Sequence, residues 1–195
     1  MRLHPFRLVE PESLLDALEA LGRLDGEARL VAGGTALVAM IRLGLVKPDR
    51  LISLHRVPAL TQIRVESGSL ELGAMATHAD IERSRVVRDG WPLLAEAVRR
   101  VATPAIRTSG TIGGNLAYAE AASDPAPALL CLHAEVRVDG PAGAERCRSR
   151  GSSEASTRRR WSPARSSRRS AFRPRRPARE AATSSTRHAR RRTNR

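Results

Sequence analysis

Two short stretches, Ala32-Gly33-Gly34-Thr35 and Thr111-Ile112-Gly113-Gly114-Asn115, carry the strongest structural signal in this sequence. Each places a pair of glycines beside a hydroxyl residue and between apolar segments. Because glycine has no Cβ, the backbone turns sharply there and its N–H groups approach a ligand closely. Successive N–H groups in such a turn form a concave anion site. The two turns therefore predict one diphosphate site closed from both sides, although glycine pairs also make turns that bind nothing.

The residues around these turns predict an α+β domain. Leucines at helical spacing follow Pro11, and alternating apolar residues flank the turn Ser67-Gly68. Predicted helices cover 11–22, 35–43, 77–83, 92–101 and 124–132; predicted strands cover 29–31, 51–54, 63–65, 70–72 and the segment around Val136 and Val138. His78 is predicted to lie on a helix surface. No Gly-x-Gly-x-x-Gly motif joins a strand to a helix, so a nicotinamide-type Rossmann domain is disfavoured.

The composition changes abruptly near residue 140. Residues 141–195 contain 18 arginines, no lysine, three glutamates and none of Val, Ile, Leu, Met or Tyr. Such a segment has too little apolar surface to offset its ordering entropy, so we expect a folded domain over 1–140 and a disordered basic tail over 141–195. An out-of-frame reading of a GC-rich gene explains this bias, and translation of the other two frames around Val138 to Cys147 tests that hypothesis.

Several classes of protein do not fit the remaining residues. Glu10 and Glu12 precede any apolar run, unlike a secretory signal, and no apolar run approaches the ~18 residues of a membrane span. Two cysteines without a Cys-x-x-Cys motif indicate a reducing, cytoplasmic compartment. The five histidines show no metal-ligand spacing, so no metal site is expected.

Taken in order, the motifs resemble the FAD-binding medium subunit of molybdenum hydroxylases, such as aerobic carbon monoxide dehydrogenase and xanthine dehydrogenase. The resemblance covers residues 1 to about 140 and then stops. The motifs that carry it are Ala32-Gly33-Gly34-Thr35, Leu51-Ile52-Ser53-Leu54, Leu72-Gly73-Ala74-Met75-Ala76-Thr77-His78, Thr111-Ile112-Gly113-Gly114-Asn115-Leu116 and Ser123-Asp124-Pro125-Ala126-Pro127-Ala128-Leu129-Leu130.

The resemblance implies a vanillyl-alcohol-oxidase-type FAD domain of two small lobes with FAD between them. It implies that two loops hold the FAD diphosphate, mostly through backbone N–H groups. These loops comprise Ala32, Gly33, Gly34, Thr35 and Ala36, and Thr111, Ile112, Gly113, Gly114 and Asn115. Asp124 would lie near the ribityl or flavin end, or would simply cap a helix. Ala36 replaces the polar residue common in the family, and no catalytic side chain is expected.

The resemblance also implies two partner subunits, a large one with molybdopterin and a small one with two [2Fe–2S] clusters. FAD would take electrons from a cluster and pass them to NAD, oxygen or a quinone. Two other functions remain open from the residues alone. One is a nucleic-acid-binding protein that uses its basic tail, and the other is an interaction module whose glycine turns are only structural.

Overall fold

The N-terminal lobe is built on a parallel sheet of three strands. In the computed structural model, which describes residues 4–22, 28–140, 143–148 and 169–173, the strands are β1 (Arg7–Val9), β2 (Ala28–Val31) and β3 (Arg50–Ser53) in the order β1-β3-β2. Helix α1 (Leu14–Gly22) links β1 to β2, and helix α2 (Leu37–Arg42) links β2 to β3. The carboxyl end of β2 therefore opens directly into the first glycine turn.

Most of the predicted elements in this lobe are present with small shifts in their ends. Helix α2 turns Leu37, Met40 and Ile41 away from solvent, as predicted. Helix α1 differs in its buried face, because Leu15 is 65% exposed whereas Ala17 is buried. Strand β1 was not predicted.

A β-hairpin begins the second lobe, as the alternating pattern predicted. Strands β4 (Ile63–Glu66) and β5 (Ser69–Leu72) are antiparallel. The two residues between them, Ser67 and Gly68, both have positive φ values, 50° and 76°. Such a turn matches the right-handed twist of the paired strands.

Six short helices follow the hairpin: α3 (His78–Arg83), α4 (Arg85–Gly90), α5 (Pro92–Arg99), α6 (Pro104–Ser109), α7 (Ile112–Tyr118) and α8 (Pro125–Cys131). The start of α3 is fixed by a capping box. The Oγ1 of Thr77 accepts a hydrogen bond from the N–H of Asp80, and the N–H of Thr77 donates to Oδ2 of Asp80. This confirms the predicted helix from Thr77 to Arg83 and sets the direction in which the chain leaves β5.

The second sheet has five antiparallel strands in the order β4-β5-β8-β6-β7, with β6 (Glu135–Gly140), β7 (Gly143–Arg148) and β8 (Arg169–Arg173). Strands β7 and β8 lie within residues 141–195, the segment for which a disordered tail is predicted. Both strands pair with β6 through backbone hydrogen bonds, which do not require apolar side chains. The register of the sheet aligns Phe172 with Leu72 and with Val136. The rest of the predicted tail lies outside the described residues.

The buried apolar residues form two clusters, the first of which also includes Ala74 and Met75 from the segment after β5. In the first, Ala17 packs with Leu54, Val57 and Leu60. The second cluster is larger and is shared by the hairpin and the helices; its members include Leu72, Ile81, Leu94, Val98, Ile112 and Leu129. The two glycine turns lie at the ends of elements from different lobes. Across the described ranges, no helix is long and apolar enough to cross a membrane.

Candidate functional site

The first glycine turn presents a run of unbonded backbone donors. It leaves β2 at Val31 and enters α2 at Leu37, and Gly34 adopts a left-handed conformation with φ +71°. The carbonyl of Gly34 accepts from the N–H of Val38 at 2.9 Å. Within the described part of the chain, none of the five N–H groups from Gly33 to Leu37 has an acceptor. Such a set of adjacent free donors at a turn is the arrangement that binds an anion.

The second glycine turn is different, because the protein itself uses most of its N–H groups. Those of Ile112, Gly113, Gly114 and Asn115 are all hydrogen-bonded. Their acceptors, in that order, are the carbonyl of Ala76, the carbonyl of Ala74, the Oγ1 of Thr111 and the carbonyl of Thr111, at 3.0, 2.9, 3.1 and 2.9 Å. Only the N–H of Thr111 has no acceptor among the described residues.

These bonds revise the expectation that both loops act through their backbone. The chain segment after β5 runs beside the second loop and accepts hydrogen bonds from two of its donors, and Thr111 accepts from two more. A Cβ on Gly113 would lie 2.6 Å from the Cβ of Ala74, so the glycine is needed for this internal packing. What the second loop can offer a ligand is mainly its side chains. The Oδ1 of Asn115 accepts from the hydroxyl of Ser123 at 2.6 Å, which leaves its NH₂ group without an acceptor among the described residues.

The two loops meet, as the paired-turn hypothesis requires. A Cβ on Gly33 would overlap the backbone carbonyl oxygen of Ser109 and would lie 3.0 Å from the Cα of Gly110. A Cβ on Gly114 would lie 3.5 Å from the Cβ of Ala32. The first turn therefore packs directly on the chain that leads into the second one. Ser109 was not predicted from the sequence, because a contact through a backbone atom does not depend on the residue type.

His78 lies beneath this junction and not on the surface, so the surface prediction is wrong. Its side chain is 2% exposed, and its backbone N–H donates to the carbonyl of Gly110 at 3.0 Å. Burial and, to a lesser extent, the positive charge of Arg107 together lower the pKa of His78 to about 4. The Nδ1 atom is buried with no partner in the described residues. The imidazole is therefore neutral at pH 7 and supports the loop by packing.

Asp124 and Thr35 are the exposed polar residues of the predicted set. Asp124 directly precedes α8, but its side chain makes no capping hydrogen bond. Its neighbour Ser123 bonds to Asn115, so Asp124 follows a residue attached to the second loop. Ala36 has no polar side chain to contribute. The predicted residues of the two loops are thus brought together, and Asp124 borders the second loop through Ser123.

The family of the chain follows from comparison with known proteins. The family model described as FAD binding domain in molybdopterin dehydrogenase matches residues 4–150. The chain belongs to this family. The match runs ten residues past the predicted domain end at 140 and includes strand β7. FAD is the family's cofactor, and the free N–H groups of residues 33–37 fit an anionic group such as its diphosphate.

The relatives are subunits of oxidoreductases. The carbon monoxide dehydrogenase medium chain of Hydrogenophaga pseudoflava is 36% identical over 138 residues, which cover 71% of this chain and 48% of the relative. The nicotine 6-hydroxylase medium subunit of Paenarthrobacter nicotinovorans is 36% identical over 143 residues, 73% of this chain and 50% of the relative. The chain spans about half the length of the curated relatives it matches.

Solved structures confirm the two-lobed α+β fold. A chain of carbon monoxide dehydrogenase from Hydrogenophaga pseudoflava matches with a TM-score of 0.79 and 29% identity, over 90% of this chain and 61% of that one. A chain of quinoline 2-oxidoreductase from Pseudomonas putida 86 matches with a TM-score of 0.79 and 27% identity, over 91% and 61%. The resemblance inferred from the motifs, and the fold it implied, are confirmed.

Proposed function

We propose that this chain binds FAD at the junction of its two glycine turns and serves as the flavin electron-transfer subunit of a molybdopterin-dependent dehydrogenase. The observation that carries the proposal is the row of free N–H groups from Gly33 to Leu37, closed on one side by Ser109. A diphosphate carries negative charge, and hydrogen bonds to charged groups are stronger than those between neutral groups. Family membership identifies FAD as the source of that diphosphate.

We expect the residues of the two turns to contribute unequally to FAD binding. Gly33, Gly34, Thr35 and Ala36 offer backbone donors to the diphosphate, and the hydroxyl of Thr35 adds a further donor. From the second turn, Thr111 offers its N–H and Asn115 its NH₂ group, while Ile112, Gly113 and Gly114 hold the turn in place. We place Asp124 at the ribityl or flavin end. Ala36 supplies no side-chain bond, which costs roughly 1 kcal/mol of binding relative to a polar residue.

Bound FAD supplies a redox-active ring that accepts and releases electrons, so the protein needs no catalytic side chain of its own. The chain's residues bind and orient the cofactor. In the assembly that we propose, a [2Fe–2S] subunit is the electron donor, a molybdopterin subunit carries out hydroxylation, and NAD, oxygen or a quinone is the acceptor. The relatives include a medium chain and a medium subunit, which supports an assembly of this kind.

Binding of FAD is the first expected result. FAD at about 100 times its dissociation constant should add about 2.7 kcal/mol to the free energy of unfolding, measured by urea denaturation with and without ligand. ADP, which shares the diphosphate, should stabilise the protein and compete with FAD, whereas FMN, which lacks it, should bind more weakly. If FAD gives no stabilisation and its fluorescence is unchanged by the folded protein, the proposed site is wrong.

Association with partner subunits is the second expected result. In the proposed assembly the electrons come from a [2Fe–2S] subunit, so this chain should co-purify with tagged iron–sulfur and molybdopterin subunits encoded beside it. A subunit pair joined by a specific interface buries about 1,200–2,000 Å² in total and survives gel filtration at micromolar concentration. A chain that passes electrons to an acceptor at full rate with no partner present would contradict this part of the proposal.

A further inference from the structure

A partly buried ion pair lies beside the junction of the two turns. The Nε of Arg107, in helix α6, donates to Oε2 of Glu82, in helix α3, at 3.1 Å. The Nη1 of Arg107 donates to the carbonyls of Val101 and Ala102 at 3.2 and 3.4 Å. The Arg107 side chain is 14% exposed. One guanidinium group therefore ties together α3, α6 and the connection between α5 and α6.

Besides this ion pair, a backbone bond from the N–H of His78 to the carbonyl of Gly110 holds the C-terminal end of helix α6. The helix is six residues long, and none of its residues is buried. Isolated helices of this length are unstable in water, and most helices in proteins are held by a buried apolar face, which α6 lacks. Its ends are fixed by the Thr103 side chain, which accepts from the N–H of Ile106, and by the N–H of Gly110, which donates to the carbonyl of Ile106. These bonds are local and do not fix where α6 lies; the His78–Gly110 bond fixes its end, and Arg107 ties the body of the helix to α3.

The position of α6 determines where Ser109 contacts the first glycine turn of the candidate site. Ser109 is the last residue of α6, and the carbonyl of Ser109 lies where a Cβ on Gly33 would be. We propose that Arg107 is a positioning residue of the FAD site: by anchoring the body of α6 to Glu82, it sets the place of Ser109 against Gly33, and so the shape of the diphosphate-binding turn. This inference rests on the proposed function, since it concerns the same site.

The test measures FAD and ADP dissociation constants of the full chain, well below the melting temperature, so that only folded protein is compared. Arg107→Ala should weaken both ligands about tenfold, the loss expected when hydrogen bonds to a charged group are misaligned. Arg107→Lys should restore part of the affinity, because it keeps the charge but not the forked geometry. Glu82→Gln, which retains a similar shape and is the milder change if Arg107→Ala does not fold, should weaken binding in the same direction.

Two controls separate positioning from general stability. Val98→Ala, in the fully buried core of α5, should lower the melting temperature with no change in either dissociation constant. Glu96→Gln removes an exposed partner of Arg99, which is 59% exposed, and should change neither property much. If Arg107→Ala and Glu82→Gln bind as the wild type does, or if Val98→Ala weakens binding as much as they do, the inference is overturned. A wild-type protein that binds no FAD would instead overturn the proposed function on which the inference rests.

Discussion

Gly33→Ala is expected to weaken FAD binding by roughly 100-fold, equivalent to about 2.7 kcal/mol. The single added methyl group would overlap the Ser109 carbonyl, and that neighbour is backbone, which cannot rotate away as a flexible side chain can. The first turn must therefore move away from the second lobe. Hydrogen bonds to a charged group contribute about 1.5–3 kcal/mol each, so misalignment of one or two donors among residues 33–37 accounts for the loss.

The matched control is Gly90→Ala. A Cβ on Gly90, at the end of α4, meets nothing within 4 Å, and this glycine does not need a positive φ. Both variants add the same methyl group, so they differ only in what that group contacts. Isothermal titration with FAD and with ADP, on proteins shown to be folded by circular dichroism, compares them. Equal affinities for Gly33→Ala, Gly90→Ala and the wild type would remove the first turn from the proposed site.

Local sequence signals predicted the local structure well, because they depend on neighbouring residues. The turn at Ser67-Gly68 was predicted from residues that tolerate positive φ, and both have it. The start of α3 was predicted from Thr77, whose hydroxyl bonds to Asp80 three residues later. The α+β class and the FAD-domain family followed from the order of several such motifs, and both are confirmed.

Contacts between distant residues were the part that the sequence could not predict. Gly33 and Gly113 look alike in the sequence. Among the described residues, however, the N–H of Gly33 has no acceptor, whereas that of Gly113 donates to the carbonyl of Ala74. That difference depends on which chain segment runs beside each turn, and the residue types of the turns do not reveal it. The burial of His78 was missed for the same reason, because it depends on contacts with residues distant in the sequence. A histidine after a helix cap is usually exposed, but here Gly110 packs above it and helix α6 brings Arg107 nearby.

The tail illustrates a different limit of composition-based reasoning. Arginine-rich segments with few apolar residues lack the surface to form a core of their own, but a strand can be ordered by a sheet that already exists. Strand β6 supplies such an edge on both sides, to β7 and to β8. The hypothesis of an out-of-frame tail stays a proposal, since strand pairing through the backbone makes few demands on the side chains.

The free energy of unfolding is expected to fall by about 3 kcal/mol between about pH 7 and pH 4 because of His78 alone. Its pKa in the folded protein is about 4, whereas an exposed histidine in the unfolded chain has an ordinary pKa near 6.5. Between about pH 6.5 and pH 4, His78 is therefore protonated in the unfolded chain but stays neutral in the folded protein. The stabilisation is complete above about pH 7 and is lost as the pH falls from about 6.5 through 4.

Urea denaturation of the wild type and of His78→Gln at about pH 7.5 and pH 4.5 isolates this contribution, since carboxylates titrate in both proteins. The stability difference between the two should shrink by about 2–3 kcal/mol at the lower pH. Because the N–H of His78 bonds to Gly110, which lies against Gly33, FAD affinity should also fall in acid and should fall less in His78→Gln. A wild-type to His78→Gln difference that is the same at both pH values would mean that the buried imidazole does not resist protonation.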